Sequence, residues 1–301
     1  MNLQPQSPLF STIPPEIRNH IFWLVLQEYD NPAKPYPRNT YYTRPGCLGK
    51  RRTDTELLRT CKIVYAETKD IPLQDVEVQV YLGGNERVPP NTRLELPILA
   101  DVLHVTLEGA GQETLSYSHL TTKDSKMNPE QWARIKRFRF FVPLYQLTPS
   151  SLKGFFSKRT RATPSSAAKN LRAPEVVTIC VRYTDWWDWE DDAPLDLSCV
   201  NWERIAFPAS VNRVVMELET ADVRTRRSQL NAIVDGLLAR PNDCAFGRED
   251  GKVLKIGEKG GVKEWLWQGP TGFGDGERFL HHPEGETMQY VVKVLVWEVV
   301  A

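Results

Sequence analysis

The run Met288 to Val300 restricts what this chain can fold into more than any other stretch. Only Lys293 and Glu298 are charged in it, so an extended segment here is apolar on both faces. Such a strand belongs inside a sheet, because an edge strand keeps a polar face toward water. The chain must therefore supply partner strands for it. Its 301 residues allow one large domain or about two.

Candidate partners recur along the sequence. Val76, Val78 and Val80 alternate with Asp75, Glu77 and Gln79, the period of a half-buried strand, and Gly83-Gly84-Asn85 ends it. Apolar runs at Val102 to Leu107, Ile135 to Val142, Val176 to Tyr183 and Val211 to Leu218 read as further strands bounded by Pro, Gly or Asn, and Lys252 to Ile256 and Val262 to Trp267 follow. Their uneven spacing allows at most a degenerate repeat. Helices are predicted at Gln112 to Leu120, Pro129 to Arg134 and Arg226 to Arg240, the last with Leu230, Ile233, Val234, Leu237 and Leu238 on one face and Pro241 beyond it. Residues 149 to 174, rich in Ser, Lys and Arg, read as a mobile basic loop. This alternation points to an α/β (or α+β) class: a mixed sheet with flanking helices and some parallel pairing.

The N-terminal region has a different period. Ile17, Ile21, Leu24 and Val25 fall at i, i+4, i+7 and i+8, the stripe of an amphipathic helix opened by Pro14 or Pro15 and ending near Tyr29. That stripe is expected to pack inward. Phe22, Trp23 and Leu26 lie off it, so the helix is apolar nearly all round and has a second face to cover. Residues 30 to 52 form an ordered irregular loop in which Tyr36, Tyr41 and Tyr42 pack on the surface and Lys50-Arg51-Arg52 is solvated. A second helix is predicted from the capping box Thr53 to Glu56, with Leu57, Cys61, Val64, Tyr65 and Thr68 on one face and Pro72 as its stop.

Ile-Pro-Pro-Glu-Ile-Arg-Asn at 13 to 19 with Ile21 and Leu24-Val25-Leu26, followed by Leu57-Leu58-Arg59-Thr60-Cys61-Lys62 and Tyr65-Ala66-Glu67, resembles the F-box-like N-terminus of a large class of fungal proteins. The resemblance covers about the first quarter of the chain. It implies a small helical module over residues 8 to 72 that docks on the Skp-type adaptor of SCF ubiquitin ligases. Residues 73 to 301 would then form an α/β domain, with a possible subdivision near 150 to 174, that recruits an unknown protein target. The candidate partner-binding residues are Pro14, Pro15, Ile17, Ile21, Phe22, Trp23 and Leu26. Pro14, Phe22, Trp23 and Leu26 lie off the inward stripe and carry the functional expectation.

Composition excludes some classes. Lys plus Arg and Asp plus Glu number 38 each, so no global field draws the chain to nucleic acid or an acidic membrane. The longest apolar run near the start, Ile21 to Leu26, is too short to span a bilayer, and no leader-like segment is expected. Five scattered cysteines without a Cys-x-x-Cys pair suit reduced thiols in cytoplasm or nucleus.

Asp185-Trp186-Trp187-Asp188-Trp189-Glu190-Asp191-Asp192 mixes carboxylates with indoles. It admits a hard-cation site, a contact for a basic peptide through Asp185, Trp186, Trp187, Asp188 and Trp189, or a surface loop pinned by buried rings with its acids in water. The EF-hand spacing is absent. His281-His282 lacks further ligands nearby in sequence and reads as a polar loop. Gly269 to Gly276 lacks the Gly-Lys-Ser/Thr ending and reads as a flexible turn. There is no Gly-x-Ser-x-Gly elbow. Cys47 looks exposed and has no His beside it, Cys61 reads as a buried small hydrophobe, and His20 as a partly buried neutral residue. No catalytic residue, metal or cofactor is expected. The leading reading is an interaction protein, the second a scaffold that binds no adaptor, and the third an enzyme built from scattered loop residues.

Overall fold

The computed structural model describes residues 7–90, 133–156, 173–257, 261–274 and 277–300. The expected strand at Val102 to Leu107, the helix at Gln112 to Leu120, most of that at Pro129 to Arg134 and much of the 149 to 174 segment lie outside them.

The chain opens with one turn, α1 (Pro8–Ser11), then helix α2 (Pro15–Leu26) and a hairpin of β1 (Glu28–Pro35) with β2 (Gly49–Thr53). A 3-10 turn at Glu56–Arg59 leads to α3 (Lys62–Thr68) and α4 (Ile71–Asp75). The body follows as β3 (Glu77–Tyr81), β4 (Arg137–Phe141), α5 (Pro149–Phe156), β5 (Val176–Val181), β6 (Ala206–Phe207), β7 (Arg213–Ala221) and α6 (Arg224–Ala239). It closes with β8 (Phe246–Arg248), β9 (Val253–Ile256), β10 (Lys263–Pro270), β11 (Gly272–Phe273), β12 (Glu277–Arg278) and β13 (Thr287–Val299).

Among the described residues, nine strands form one mixed sheet in the order β3-β4-β5-β7-β13-β9-β8-β6, with β10 also on β13. The first four are parallel; β13 runs antiparallel to β7, pairing Tyr290 to Glu298 with Ala221 to Arg213. Its other edge is shared: β10 takes Thr287 to Val294 and β9 takes Trp297 to Val299. The terminal run is therefore interior, as its two apolar faces require, and Val291, Val292 and Trp297 are fully buried.

The two faces of the parallel half differ in chemistry. On one, Val80, Phe138, Phe140, Val177, Ile179, Val181, Val214, Met216 and Leu218 form an apolar layer, joined by Leu152, Phe155 and Phe156 of α5 and Leu230, Val234 and Leu237 of α6. The start of the expected basic loop is thus a helix with a buried face, because three apolar side chains at helical spacing find Phe138 and Phe140 beneath them. On the other face the alternate positions present Arg139, Cys180, Glu217 and Glu219, which the segment between β1 and β2 covers.

That segment is more ordered than an irregular loop. Tyr36 and Tyr42 meet edge to face and Tyr42 packs with Cys47, Tyr81 and Phe141; Tyr41 stacks on Phe273, with ring centroids 5.3 Å apart. The capping box does not operate at Thr53, which is committed to the hairpin ladder opposite Glu28. Helix α3 instead starts at Cys61, whose sulfur accepts from the Val64 N–H. Pro72 opens α4 rather than ending a helix, since a proline in the first turn sacrifices no hydrogen bond.

Candidate functional site

Helix α2 owes its orientation to a charge. Arg18, Phe22 and Leu26, at i, i+4 and i+8, form its buried line. Phe22 packs with Cys61 and Val64, and Leu9, Phe10, Leu57, Ile63 and Ile71 close around them. The Arg18 guanidinium donates from Nε to Glu67 Oε2 at 2.9 Å and from Nη2 to Glu67 Oε1 at 3.1 Å, and it lies over the Phe10 ring. This phase reverses the expected one. Ile17, Leu24 and Val25 are 54%, 53% and 45% exposed, and Ile21 and Trp23 are exposed as well. The predicted inward stripe therefore faces out, while Phe22 and Leu26, expected at the docking surface, are core. A bidentate arginine–carboxylate pair needs α3 on the Arg18 side, and among the described residues nothing covers the apolar stripe. Pro14, Pro15 and Trp23 are exposed, as a contact surface requires. His20 is exposed too, stacked at 5.8 Å on Trp23, and is not a core histidine.

The segment from Tyr36 to Leu48 does not fold over this helix. Arg44, 3% exposed, enters the charged face of the sheet and gives Nη2 to Glu217 Oε2 at 3.1 Å, with Glu219 Oε2 at 3.5 Å. Arg139 completes the row, bonding Glu217 Oε1 at 2.8 Å and Glu77 Oε2 at 2.6 Å. Burial pushes the Glu217 carboxyl up, but Arg44 and Arg139 beside it more than reverse this and hold it below the ordinary range. For Glu219 burial wins over Arg44, and its carboxyl lies above the ordinary range. Cys47, expected to be exposed, is buried here against Gln79, and burial pushes its thiol and that of Cys180 up, away from nucleophilic use. Sequence reasoning missed this row. Its available signal was the pair Glu217 and Glu219 on one face of an otherwise apolar strand.

The acidic tryptophan stretch is mostly anchored. Asp188 and Asp192 adopt left-handed backbone, φ 47° and 55°, which aspartate tolerates better than most residues, and the turn between them drives Trp189 into the core. Trp186 is also buried, its indole N–H donating to the Glu219 carbonyl at 2.7 Å. Asp185 is enclosed: Arg182 bonds both its oxygens at 2.7 and 3.0 Å, and Arg87 bonds Oδ1 at 2.8 Å. Asp185, Trp186 and Trp189 are therefore unavailable to a basic peptide, because their partners lie within the fold. Trp187 and Asp188 remain exposed, with Trp187 beside Tyr145.

Trp189 also meets Phe273, Phe279 and Tyr183. The Tyr183 hydroxyl lies 2.8 Å from His281 Nε2 and 2.7 Å from His282 Nε2, so the histidine pair is part of this packed end rather than a free loop. Phe273 is buried too, and the predicted glycine-rich turn carries the β11–β12 hairpin instead.

Among the described residues, no three His, Cys, Asp or Glu side chains are grouped for a metal, and no helix is long and apolar enough to cross a membrane. The cavity lined by Tyr41, Arg44, Tyr183, Glu219, Trp267 and Tyr290 has a volume of about 10 Å³, enough for water but not for an organic substrate. No family model, no curated protein and no solved structure matches the chain.

Proposed function

We propose that this chain is a protein-interaction protein whose N-terminal helical module docks on a Skp-type adaptor, with the α/β body receiving a target for an SCF-type ubiquitin ligase. The observation that carries the reading is the exposed apolar face of α2, where Ile17, Ile21, Trp23, Leu24 and Val25 stand in water on one short helix. An exposed apolar patch that no described element covers is characteristic of a docking surface. The motif resemblance of residues 13 to 26 and 57 to 67 supplies the identity of the partner. Phe22 and Leu26 leave the contact set because they are core; Leu24 and Val25 join Pro14, Pro15, Ile17, Ile21 and Trp23.

Co-expression of the tagged chain with a Skp-type adaptor tests this. Recovery of the adaptor with the wild type and its loss with Ile17→Glu or Leu24→Glu supports the reading; failure of the folded wild type to retain the adaptor supports the scaffold instead.

A further inference from the structure

Two histidines adjacent in sequence aim the same ring atom at one oxygen. His281 Nε2 and His282 Nε2 stand 2.8 and 2.7 Å from the Tyr183 hydroxyl, and the two imidazoles are nearly perpendicular, with centroids 4.5 Å apart. The protons can be placed. His282 Nδ1 is bonded to the Thr271 carbonyl, which only accepts, so Nδ1 carries the hydrogen and the neutral ring presents its Nε2 lone pair to the phenol. Tyr183 has one proton to give, and it goes to His282; His281 Nε2–H then donates to the phenol oxygen. A histidine whose Nδ1–H is held by a backbone carbonyl, with the Nε2 lone pair turned outward, has the tautomer and ring orientation of a metal-ligating imidazole.

The surrounding structure holds this geometry. Tyr183 sits in the turn after β5, and the histidines follow β12, so residues nearly a hundred positions apart converge. Phe279 packs on both imidazoles and Trp189 stacks on His282. The charged groups acting on the phenol are Arg226, Asp192 and Glu190, of which Asp192 and Arg226 also act on His282. Asp192 is paired with Arg226.

We propose that His281 Nε2, His282 Nε2 and Tyr183 Oη form a binding site for one first-row divalent cation of the imidazole-preferring kind, such as Zn²⁺. Two imidazoles and one oxygen supply three of four tetrahedral positions, and water completes the fourth. Binding breaks the hydrogen bonds to the phenol and releases all but one of the cation's hydration waters, as two metal–nitrogen bonds and one metal–oxygen bond form in their place. The phenol proton leaves to solvent, and the His281 proton moves to Nδ1 through solvent, so no oxidant or reductant takes part. Sequence alone offered only the two histidines; the fold adds the third donor.

The test uses the full chain freed of metal by a chelator and titrated with Co²⁺, whose visible absorption reports four-coordinate geometry, followed by Zn²⁺. The expected result is saturation at one Co²⁺ per chain, displacement by Zn²⁺ and a higher melting temperature with Zn²⁺. His282→Gln and His281→Gln should weaken binding by about 100-fold, and Tyr183→Phe by about 10-fold. Melting of each variant without metal shows whether it is folded. If the folded double variant His281→Gln/His282→Gln binds Co²⁺ as the wild type does, or the wild type shows neither saturation nor a melting shift, the proposal is overturned.

Discussion

Arg18 on α2 and Glu67 on α3 form a bidentate pair, at 2.9 and 3.1 Å, that sets which side of α2 faces the protein. A helix apolar on most sides has no unique inward face from hydrophobicity, and this pair selects one. Arg18 is nearly buried while Glu67 is partly solvated, which moderates the energy. Arg18→Ala should lower stability by about 2 kcal/mol, measured by urea unfolding. An unchanged midpoint would mean that packing alone orients the helix.

The two sides of α2 should respond oppositely to substitution. Phe22→Ala opens a cavity beside Cys61 and Val64 and should cost about 3 to 4 kcal/mol. Ile17→Glu, on the exposed side, should stay within about 0.5 kcal/mol of wild type. Thermal melts of the two variants side by side check the assigned phase, and a reversed order would refute it.

Arg44 should anchor the segment between β1 and β2. Replacing it with Met leaves Glu219 buried without its charge partner and should cost about 3 kcal/mol or more. Hydrogen exchange of the segment from Tyr36 to Leu48 should speed up together with the loss. A segment that stays protected would show that its tyrosines hold it unaided.

Glu219 should also leave a pH signature. Its folded pKa is raised, so the folded state binds more protons than the unfolded one, and stability falls as pH rises from the unfolded carboxyl value of about 4.3 through the folded value. Glu217, held low, acts in the opposite sense and loses its contribution as pH falls through its folded value. Glu219→Gln should therefore lose less stability than wild type between about pH 4.3 and neutrality. Parallel slopes for the two proteins over that window would contradict the assignment.

Thiol accessibility offers a simpler check. Cys47, Cys61, Cys180 and Cys244 are buried and Cys199 is exposed. Native protein should react rapidly with a thiol reagent at Cys199 alone, and the other four should follow only on unfolding. Mass mapping that finds Cys47 labelled early would place it outside the sheet face described above.

Local pattern was sufficient wherever one period decided the outcome. The alternation at Val78 and Val80, the doubly apolar run at the C-terminus and the stripe of Leu230, Ile233, Val234 and Leu237 fold as their spacing suggests, whereas Val76 caps α4 ahead of β3 and Leu238, expected on the same stripe, is exposed. Long-range pairing decided the remainder. The phase of α2 depends on Glu67, forty-nine positions from Arg18. The burial of Asp185 depends on Arg87, and that of Cys47 on the face carrying Gln79. Thr53 had an adequate capping sequence, but the ladder with Glu28 took the residue first. No reading of neighbours reveals such partners, and for that reason the phase expected for α2 differs from the one it adopts, with Phe22 and Leu26 in the core and Ile17, Leu24 and Val25 exposed.

The most direct test of the docking account is calorimetric titration of the purified full chain with purified Skp-type adaptor, alongside Leu24→Glu. Leu24 is exposed and makes the substitution structurally mild. The account predicts saturable one-to-one binding by the wild type, and binding by the variant at least about 10-fold weaker, a loss of 1.4 kcal/mol or more, at an unchanged melting temperature. No heat of binding with the folded wild type, or equal affinity of the variant, would contradict it.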